Sequence, residues 1–269
     1  MQDIRDVIFH EIRERKYRAV LLPEADGVLS GVEDAARKAA ELGLEWQSPS
    51  REGGTLSRNQ SFAELVGTPK QLALAEECLI GFLAKPSGIA TAARRAVSAS
   101  GGRVRIVSGS WKKMPPVMKT SVRRAIVSGG ASFRICEQPM LYLDKNFIRM
   151  FGSIRAALEA AAGLKEMTKV VQIKGIDRSV EEETRQAVMG GADILMVDTG
   201  NLQDVKACRK QMATLLQGKK RRVAFAGNVK IAQIPSLAEK GIDILCIGKE
   251  IVDARLLDMK LNVLGAVEK

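Results

Sequence analysis

The spacing of apolar residues divides the chain into two textures. Up to about residue 100, helical and extended patterns alternate irregularly: an amphipathic start over 3–15, an extended 17–22, a helical 32–42 and an extended 44–47. Residues 48–57, with Gly53-Gly54, read as a turn or hairpin connection, and 62–66 as a returning strand. Thr68 and Pro69 then predict a capped helix start, and apolar residues keep to one face from Lys70 to about Ser98. Pro86 falls inside that run and predicts a kink or break, because it has no N–H and crowds the preceding turn. Together these elements predict an α+β domain.

Beyond Gly101-Gly102 the texture becomes regular. Short apolar runs at 104–107, 140–143, 170–173, 194–197, 222–226 and 242–247 are mostly separated by helical patterns at 117–127, 153–162, 180–189, 202–216 and 231–238. Strands buried on both faces read as continuous apolar runs, and alternation with helices predicts parallel pairing. The fold expected is α/β, an N-terminal α+β sandwich domain plus an open α/β barrel with parallel strands. Its boundaries are 1–85, joined by the tail 257–269, and 86–256. Two phrases, Ala192-Asp193-Ile194-Leu195 and Ile242-Asp243-Ile244-Leu245, look like repeated barrel units. Such phrases occur in many α/β proteins and carry no chemistry by themselves.

Composition narrows the function classes. The chain has 269 residues, 46% of them hydrophobic, and no run approaches the roughly 18 apolar residues of a membrane span. Its N-terminus mixes both charge signs where a signal peptide needs an apolar core, which predicts a cytoplasmic protein with no membrane partner. Cys78, Cys136, Cys208 and Cys246 are widely separated and His10 is the single histidine, which argues against structural zinc and for small buried thiols. A formal charge of +11 invites anions. Aromatics at 4% are too few for a stacking nucleic-acid surface, so phosphorylated small molecules fit better, the alternative being a solvated basic surface.

In a parallel barrel, chemistry sits where the strands end. The residues following the apolar runs are Lys112, Arg134, Asp144, Lys145, Gln172 to Lys174, Asp198, Gly227-Asn228 and Gly248-Lys249. Gly227, Asn228 and Gly248 would offer backbone N–H groups to a phosphate, or serve only as turns. Asp198 would hold magnesium or a ribose hydroxyl, or cap a helix. Lys112 would meet a phosphate, or be an exposed loop lysine.

The run Pro86-Ser87-Gly88-Ile89-Ala90-Thr91 closely resembles the interdomain-helix motif of the quinolinate phosphoribosyltransferase family, the carboxylating nicotinate-nucleotide pyrophosphorylases. The resemblance extends over nearly the whole chain, through Asp26-Gly27-Val28-Leu29-Ser30-Gly31 and the approach to the long helix. It implies that Lys112 and Asp198 act on phosphoribosyl pyrophosphate, with Mg2+ at Asp198, and that Arg134 binds the acceptor. It also implies that Gly227, Asn228 and Gly248 hold a 5'-phosphate, in Ala226-Gly227-Asn228-Val229 where the family has Ser-Gly-Gly-Ile. A homodimer is implied as well, since family sites are completed by a partner-chain residue at the position of Glu77.

Departures gather in the acid pocket. Glu77 and Trp111 stand where the family has arginines, and Phe133 where it has a histidine. Asp144-Lys145-Asn146-Phe147 replaces Lys-Asp-Asn-His, and a metal-associated glutamate falls near Gln172 or Lys174. The expectation is a phosphoribosyltransferase-family enzyme with a changed acceptor, its pocket formed by Arg134, Trp111, Phe133, Lys145, Lys174 and Glu77. The alternatives are a divergent enzyme of the same fold, such as the pyrophosphorylase-like protein associated with molybdate transport, or a non-catalytic protein binding a phosphorylated ligand.

Overall fold

The computed structural model describes residues 3–216 and 221–268. In chain order the elements are α1 (Ile4–Ile8), β1 (Tyr17–Pro23), β2 (Gly27–Val28), α2 (Val32–Glu41), β3 (Glu45–Gln47), β4 (Thr55–Leu56), β5 (Ala63–Gly67) and α3 (Pro69–Ser100). They continue with β6 (Arg105–Val107), α4 (Lys119–Ser128), β7 (Met140–Leu143), α5 (Lys145–Phe151), α6 (Ile154–Ala160), β8 (Thr168–Ile173), α7 (Val180–Met189) and β9 (Ile194–Asp198). The chain closes with α8 (Leu202–Leu216), β10 (Arg222–Ala226), α9 (Ile234–Leu237), β11 (Ile244–Cys246), α10 (Lys249–Val252) and β12 (Met259–Ala266). Two compact units emerge: residues 1–95, 111–130 and 251–269, and residues 96–110 and 131–250.

In the first unit an antiparallel sheet of order β12-β1-β5-β3 is covered by helices. Ala19 and Leu21 of β1, Ala63 and Leu65 of β5 and Ala35 and Ala39 of α2 are buried against a stripe on α3. That stripe is Leu72, Ala75, Leu79 and Leu83, spaced at one helical turn. A reciprocal box starts α3, with Thr68 N–H donating to Gln71 Oε1 at 2.8 Å and Gln71 N–H reaching Thr68 Oγ1 at 3.5 Å. The amphipathic start is shorter than its pattern: α1 stops at Ile8 and a 3-10 turn covers His10–Ile12.

Pro86 does not break α3, which runs through it from Pro69 to Ser100. Proline leaves the carbonyl four residues back without its helical donor. At that carbonyl, Phe82 O, the backbone of Gly31 closes in: a Cβ on Gly31 would lie 1.9 Å from it. The Gly31 Cα–H therefore meets the orphan oxygen, a weak hydrogen bond available because Gly31 adopts φ 94°. Gly31 has no side chain with which to cap α2. Glu52 does so instead, its Oε1 accepting the Gly31 N–H at 2.7 Å and its Oε2 the Val32 N–H at 3.3 Å.

The motif that opened the family resemblance is the packing face beside this point. Ser87 Oγ accepts the Ser30 N–H at 3.0 Å and donates to Ser30 O at 3.2 Å. One turn later Thr91 Oγ1 donates to Ser87 O at 2.7 Å and accepts the Val28 N–H at 2.9 Å. Between them Gly88 admits another strand of chain, since a Cβ there would lie 2.0 Å from Arg255 O. Leu257 N–H donates to Ala84 O at 3.0 Å, and Lys85 Nζ to Ala254 O at 2.6 Å.

The second unit is a six-stranded sheet of order β6-β11-β10-β9-β8-β7, parallel throughout. Alternate residues of the strands share one face. Val107, Val170, Ile194, Met196, Ala224 and Ile244 pack there with Ile135 and Cys136 in a single cluster, joined by Met140, Tyr142, Ala226 and Cys246. Residues from all six strands thus converge on one interior, with 131–136 filling the side next to β6 through a Val107–Ser132 bridge. That is the open barrel expected. The repeated Asp-Ile-Leu phrases begin β9 and β11. Asp193 Oδ2 accepts the Lys169 N–H at 2.9 Å and Asp243 Oδ2 the Val223 N–H at 2.7 Å, each also paired with an arginine, Arg221 and Arg209. Both aspartates pin a strand start to its neighbour.

The cysteines correct the sequence expectation in part. Cys136 and Cys208 are buried and burial pushes both thiols up, whereas Cys78 and Cys246 are half-buried. Among the described residues no helix is long and apolar enough to cross a membrane.

Candidate active site

Strand periodicity aims the polar residues that follow the inward rows. On β8 the row Val170, Gln172 continues to Lys174; on β9 the row Ile194, Met196 ends at Asp198. On β7 Met140 and Tyr142 lead to Asp144, on β10 Ala224 and Ala226 lead to Asn228, and on β11 Ile244 and Cys246 lead to Gly248. All lie at the C-terminal mouth of the parallel sheet, where such barrels carry their sites.

Asp198 is the hub of that mouth. Its Oδ2 accepts from Gln172 Nε2 at 2.7 Å and lies 3.5 Å from Lys174 Nζ, which also donates to Asp198 O at 2.5 Å. Gln172 is only 9% exposed, and its Oε1 accepts the Lys145 N–H at 2.7 Å. A backbone N–H can only donate, so the amide oxygen must face Lys145 and the amide nitrogen must face Asp198. Glu183, equally buried, accepts the N–H groups of Lys174 at 2.7 Å and Gly175 at 3.0 Å. Below the mouth, burial raises the Tyr142 phenol far above its ordinary range, with Cys246, Asp198 and Asp144 adding to the effect. It remains a neutral hydroxyl.

Two glycine crossings border the hub. A Cβ on Gly227, whose φ is 117°, would lie 2.2 Å from Gly200 N, and Gly200 N–H donates to Ala226 O at 3.0 Å. Asn228 follows in the left-handed region at φ 59°. A Cβ on Gly248 would lie 2.3 Å from Ser110 Oγ. Glu250 ties the two turns, accepting the Ile231 N–H at 2.8 Å and pairing with Lys230 at 3.3 Å. The Gly227–Gly200 approach is backbone on backbone and requires glycine, and it leaves both residues exposed at the mouth.

The remaining predicted residues have other neighbours. Arg134 is exposed, with its guanidinium 5.0 Å from the Phe133 ring centroid. Lys145 is exposed at the start of α5, which Asp144 caps by accepting the Asn146 N–H at 2.8 Å and the Phe147 N–H at 3.1 Å. Trp111 and exposed Lys112 lie in a 3-10 turn, Ser110–Lys113, and belong to the first unit, where Arg123 sits 4.9 Å over the Trp111 ring. Glu77, also in the first unit, pairs with Arg5. Sequence reasoning placed Gln172 among the strand-end positions without giving it a role, and did not assign Glu183, Gly200, Ser110 or Tyr142 to the site. Gln172 had a visible signal, an amide inside the apolar run Val170-Val171-Gln172-Ile173.

The donor set does not suit the magnesium expected at Asp198. Mg2+ requires oxygen ligands in near-octahedral array. Here Asp198 Oδ2 faces an ammonium and an amide N–H, while Asp144 Oδ1 and Glu183 Oε2 each accept two backbone N–H groups. Among the described residues no three His, Cys, Asp or Glu side chains form a group able to hold a metal ion.

The family model of the quinolinate phosphoribosyl transferase N-terminal domain matches residues 6–87, and that of the C-terminal domain matches residues 89–262. The chain belongs to the quinolinate phosphoribosyl transferase family. It is accordingly a pentosyltransferase-family protein, as the sequence motif implied. The human carboxylating nicotinate-nucleotide pyrophosphorylase is 27% identical over 252 residues, spanning 91% of this chain and 82% of the relative. The probable carboxylating nicotinate-nucleotide pyrophosphorylase of Methanothermobacter thermautotrophicus is 23% identical over 97% of this chain and 94% of its own. Among solved structures, the nicotinate-nucleotide pyrophosphorylase of Francisella tularensis superposes with a TM-score of 0.81 at 21% identity, covering 95% of this chain and 89% of that one. Human nicotinic acid phosphoribosyltransferase shares the fold at a TM-score of 0.71 and 14% identity, over 99% of this chain and 74% of that one.

Proposed function

We propose that the chain transfers a phosphoribosyl group from phosphoribosyl pyrophosphate to the ring nitrogen of a heterocyclic acceptor less anionic than quinolinate. The observation that carries the donor half is the mouth of the second unit, where Asp198, Gln172 and Lys174 form a fixed hydrogen-bonded set beside the Gly200–Gly227 crossing. An ammonium beside exposed main chain at Gly200, Gly227 and Asn228 suits a phosphorylated sugar. The ring nitrogen attacks the anomeric carbon, the bond from that carbon to pyrophosphate oxygen breaks, and pyrophosphate leaves with the electron pair. Lys174, and Lys112 by family resemblance, supply positive charge to the departing group.

Acceptor specificity rests on the departures. Two carboxylates buried without cationic partners would cost several kcal/mol, on the order of what a small ligand gains from its site. Glu77 stands at a position that is cationic in the family and already engages Arg5, while Trp111 and Phe133 present rings. Arg134 is the cation retained for a single acidic or polar group of the acceptor.

Pyrophosphate release from phosphoribosyl pyrophosphate, screened with quinolinate, nicotinate and uncharged heterocycles, tests the reading. A monoanionic or neutral acceptor is expected to outperform quinolinate, with Asp198→Ala and Lys112→Ala both losing turnover. Efficient quinolinate turnover would sink the acceptor assignment, and no pyrophosphate release with any acceptor would sink the transferase assignment. The same reading takes the protein as a cytoplasmic homodimer, which light scattering and cell fractionation test.

A further inference from the structure

We infer that the Lys174 ammonium takes the electrostatic place of a divalent cation on Asp198, so that the positive charge offered to an anion at this mouth belongs to the chain itself. Lys174 is held from both ends. Its backbone N–H and that of Gly175 are fixed by Glu183, Gly175 turns the chain at φ 61°, and its Nζ reaches both Asp198 O and Asp198 Oδ2. The side chains of Lys174 and Asp198 are 28% and 30% exposed, so the pair is half-buried and accessible to a ligand.

The neighbouring groups close the position to a metal. Gln172 presents its amide nitrogen to Asp198 Oδ2, and that orientation is forced by the Lys145 N–H on its oxygen. The nearby carboxylates of Asp144 and Glu183 each accept two backbone N–H groups. A cation arriving at Asp198 Oδ2 would therefore meet an ammonium and an amide N–H, and among the described residues no group of three His, Cys, Asp or Glu side chains stands there to complete its shell. For an anion the arrangement is favourable: Asp198 orients Lys174 through its carbonyl and Oδ2, leaving the third ammonium proton for a phosphate oxygen. Asp198 is then the positioning residue and Lys174 the anion-binding one.

The decisive experiment separates this inference from the transferase reading, on which only its donor arm rests. Mn2+ titrated into the protein alone, followed by electron paramagnetic resonance, is expected to show no stoichiometric site in the wild type. Lys174→Glu, which places two carboxylates together, is expected to acquire one Mn2+ per chain. A stoichiometric wild-type site that Asp198→Asn abolishes would overturn the inference. Calorimetric binding of phosphoribosyl pyrophosphate in excess chelator is expected in the wild type, with Lys174→Met weaker by about ten- to a hundred-fold and Lys174→Arg close to wild type. Thermal unfolding of Lys174→Met near the wild-type midpoint assigns its loss to charge rather than misfolding. Donor binding that appears only when magnesium is added overturns the inference. Donor binding absent in every condition, with the Mn2+ results as expected, leaves Lys174 in its place on Asp198 and removes the transferase reading.

Discussion

The helix face of Ser87 and Thr91 and the barrel mouth of Gln172, Lys174 and Asp198 are both networks of side-chain hydrogen bonds, yet they are built for opposite ends. On α3 each hydroxyl is closed on the protein: Ser87 is fully buried, and both residues bond backbone groups of the 28–30 segment. At the mouth the network is anchored from below by buried Gln172 and Glu183 and ends in half-exposed charges. The first arrangement spends all its polar capacity on packing, so its sequence identifies the architecture. The second leaves capacity over for a ligand, so its sequence identifies the chemistry. The motif that named the family therefore says little about the substrate.

Substitutions should separate the two regions, and the largest effect is expected where backbone meets backbone. Gly88→Ala places a Cβ 2.0 Å from Arg255 O, with no flexible side chain to yield. It should destabilise the first unit by about 3 kcal/mol, read from denaturant unfolding. A wild-type midpoint would show that the 254–257 segment is not seated on α3.

Thr91→Val keeps the shape but leaves the Val28 N–H without its acceptor, and should cost about 1–3 kcal/mol in the same measurement. If donor affinity fell with it while stability did not, the helix face would be part of the site and the contrast would fail. Gln172→Leu tests the other side. It removes the bridge between the Lys145 N–H and Asp198, and should weaken donor binding by about ten-fold while shifting stability by about 1 kcal/mol.

The smallest effect expected is in the pH profile. The Tyr142 phenol has a folded-state value raised above its ordinary 10.0, so above that pH the unfolded chain releases a proton that the native chain holds. Stability from this group is full below pH 10 and declines as pH rises beyond it. Spectrophotometric titration should show Tyr142→Phe and wild type with the same tyrosinate rise until the native state unfolds. A difference under native conditions would place Tyr142 in open solvent rather than inside the barrel.

Much of the fold was legible because periodicity reports burial. The runs at 170–173 and 194–197 are apolar but for Gln172, as strands covered on both sides are, and β8 and β9 are that. Pro86 shows where local reasoning failed: its ring does cost a helical bond, but the compensating approach of Gly31 to Phe82 O comes from a residue far away in sequence. The short helix α5 was missed because Asp144 was read as a strand-end charge, when its carboxylate caps Asn146 and Phe147.

The sequence by itself determined the alternation of elements, the parallel barrel, the family and the strand-end positions from which a site would be drawn, since all of these follow from which faces must leave water. Tertiary structure alone decided which donor meets which acceptor. Glu77 finds Arg5, Glu52 caps Gly31 and Val32, and Gln172 turns its amide nitrogen toward Asp198 because Lys145 claims its oxygen. Hydrogen bonds are short and directional, and their partners here come from distant parts of the chain. No spacing rule encodes them, and they set Lys174 on Asp198.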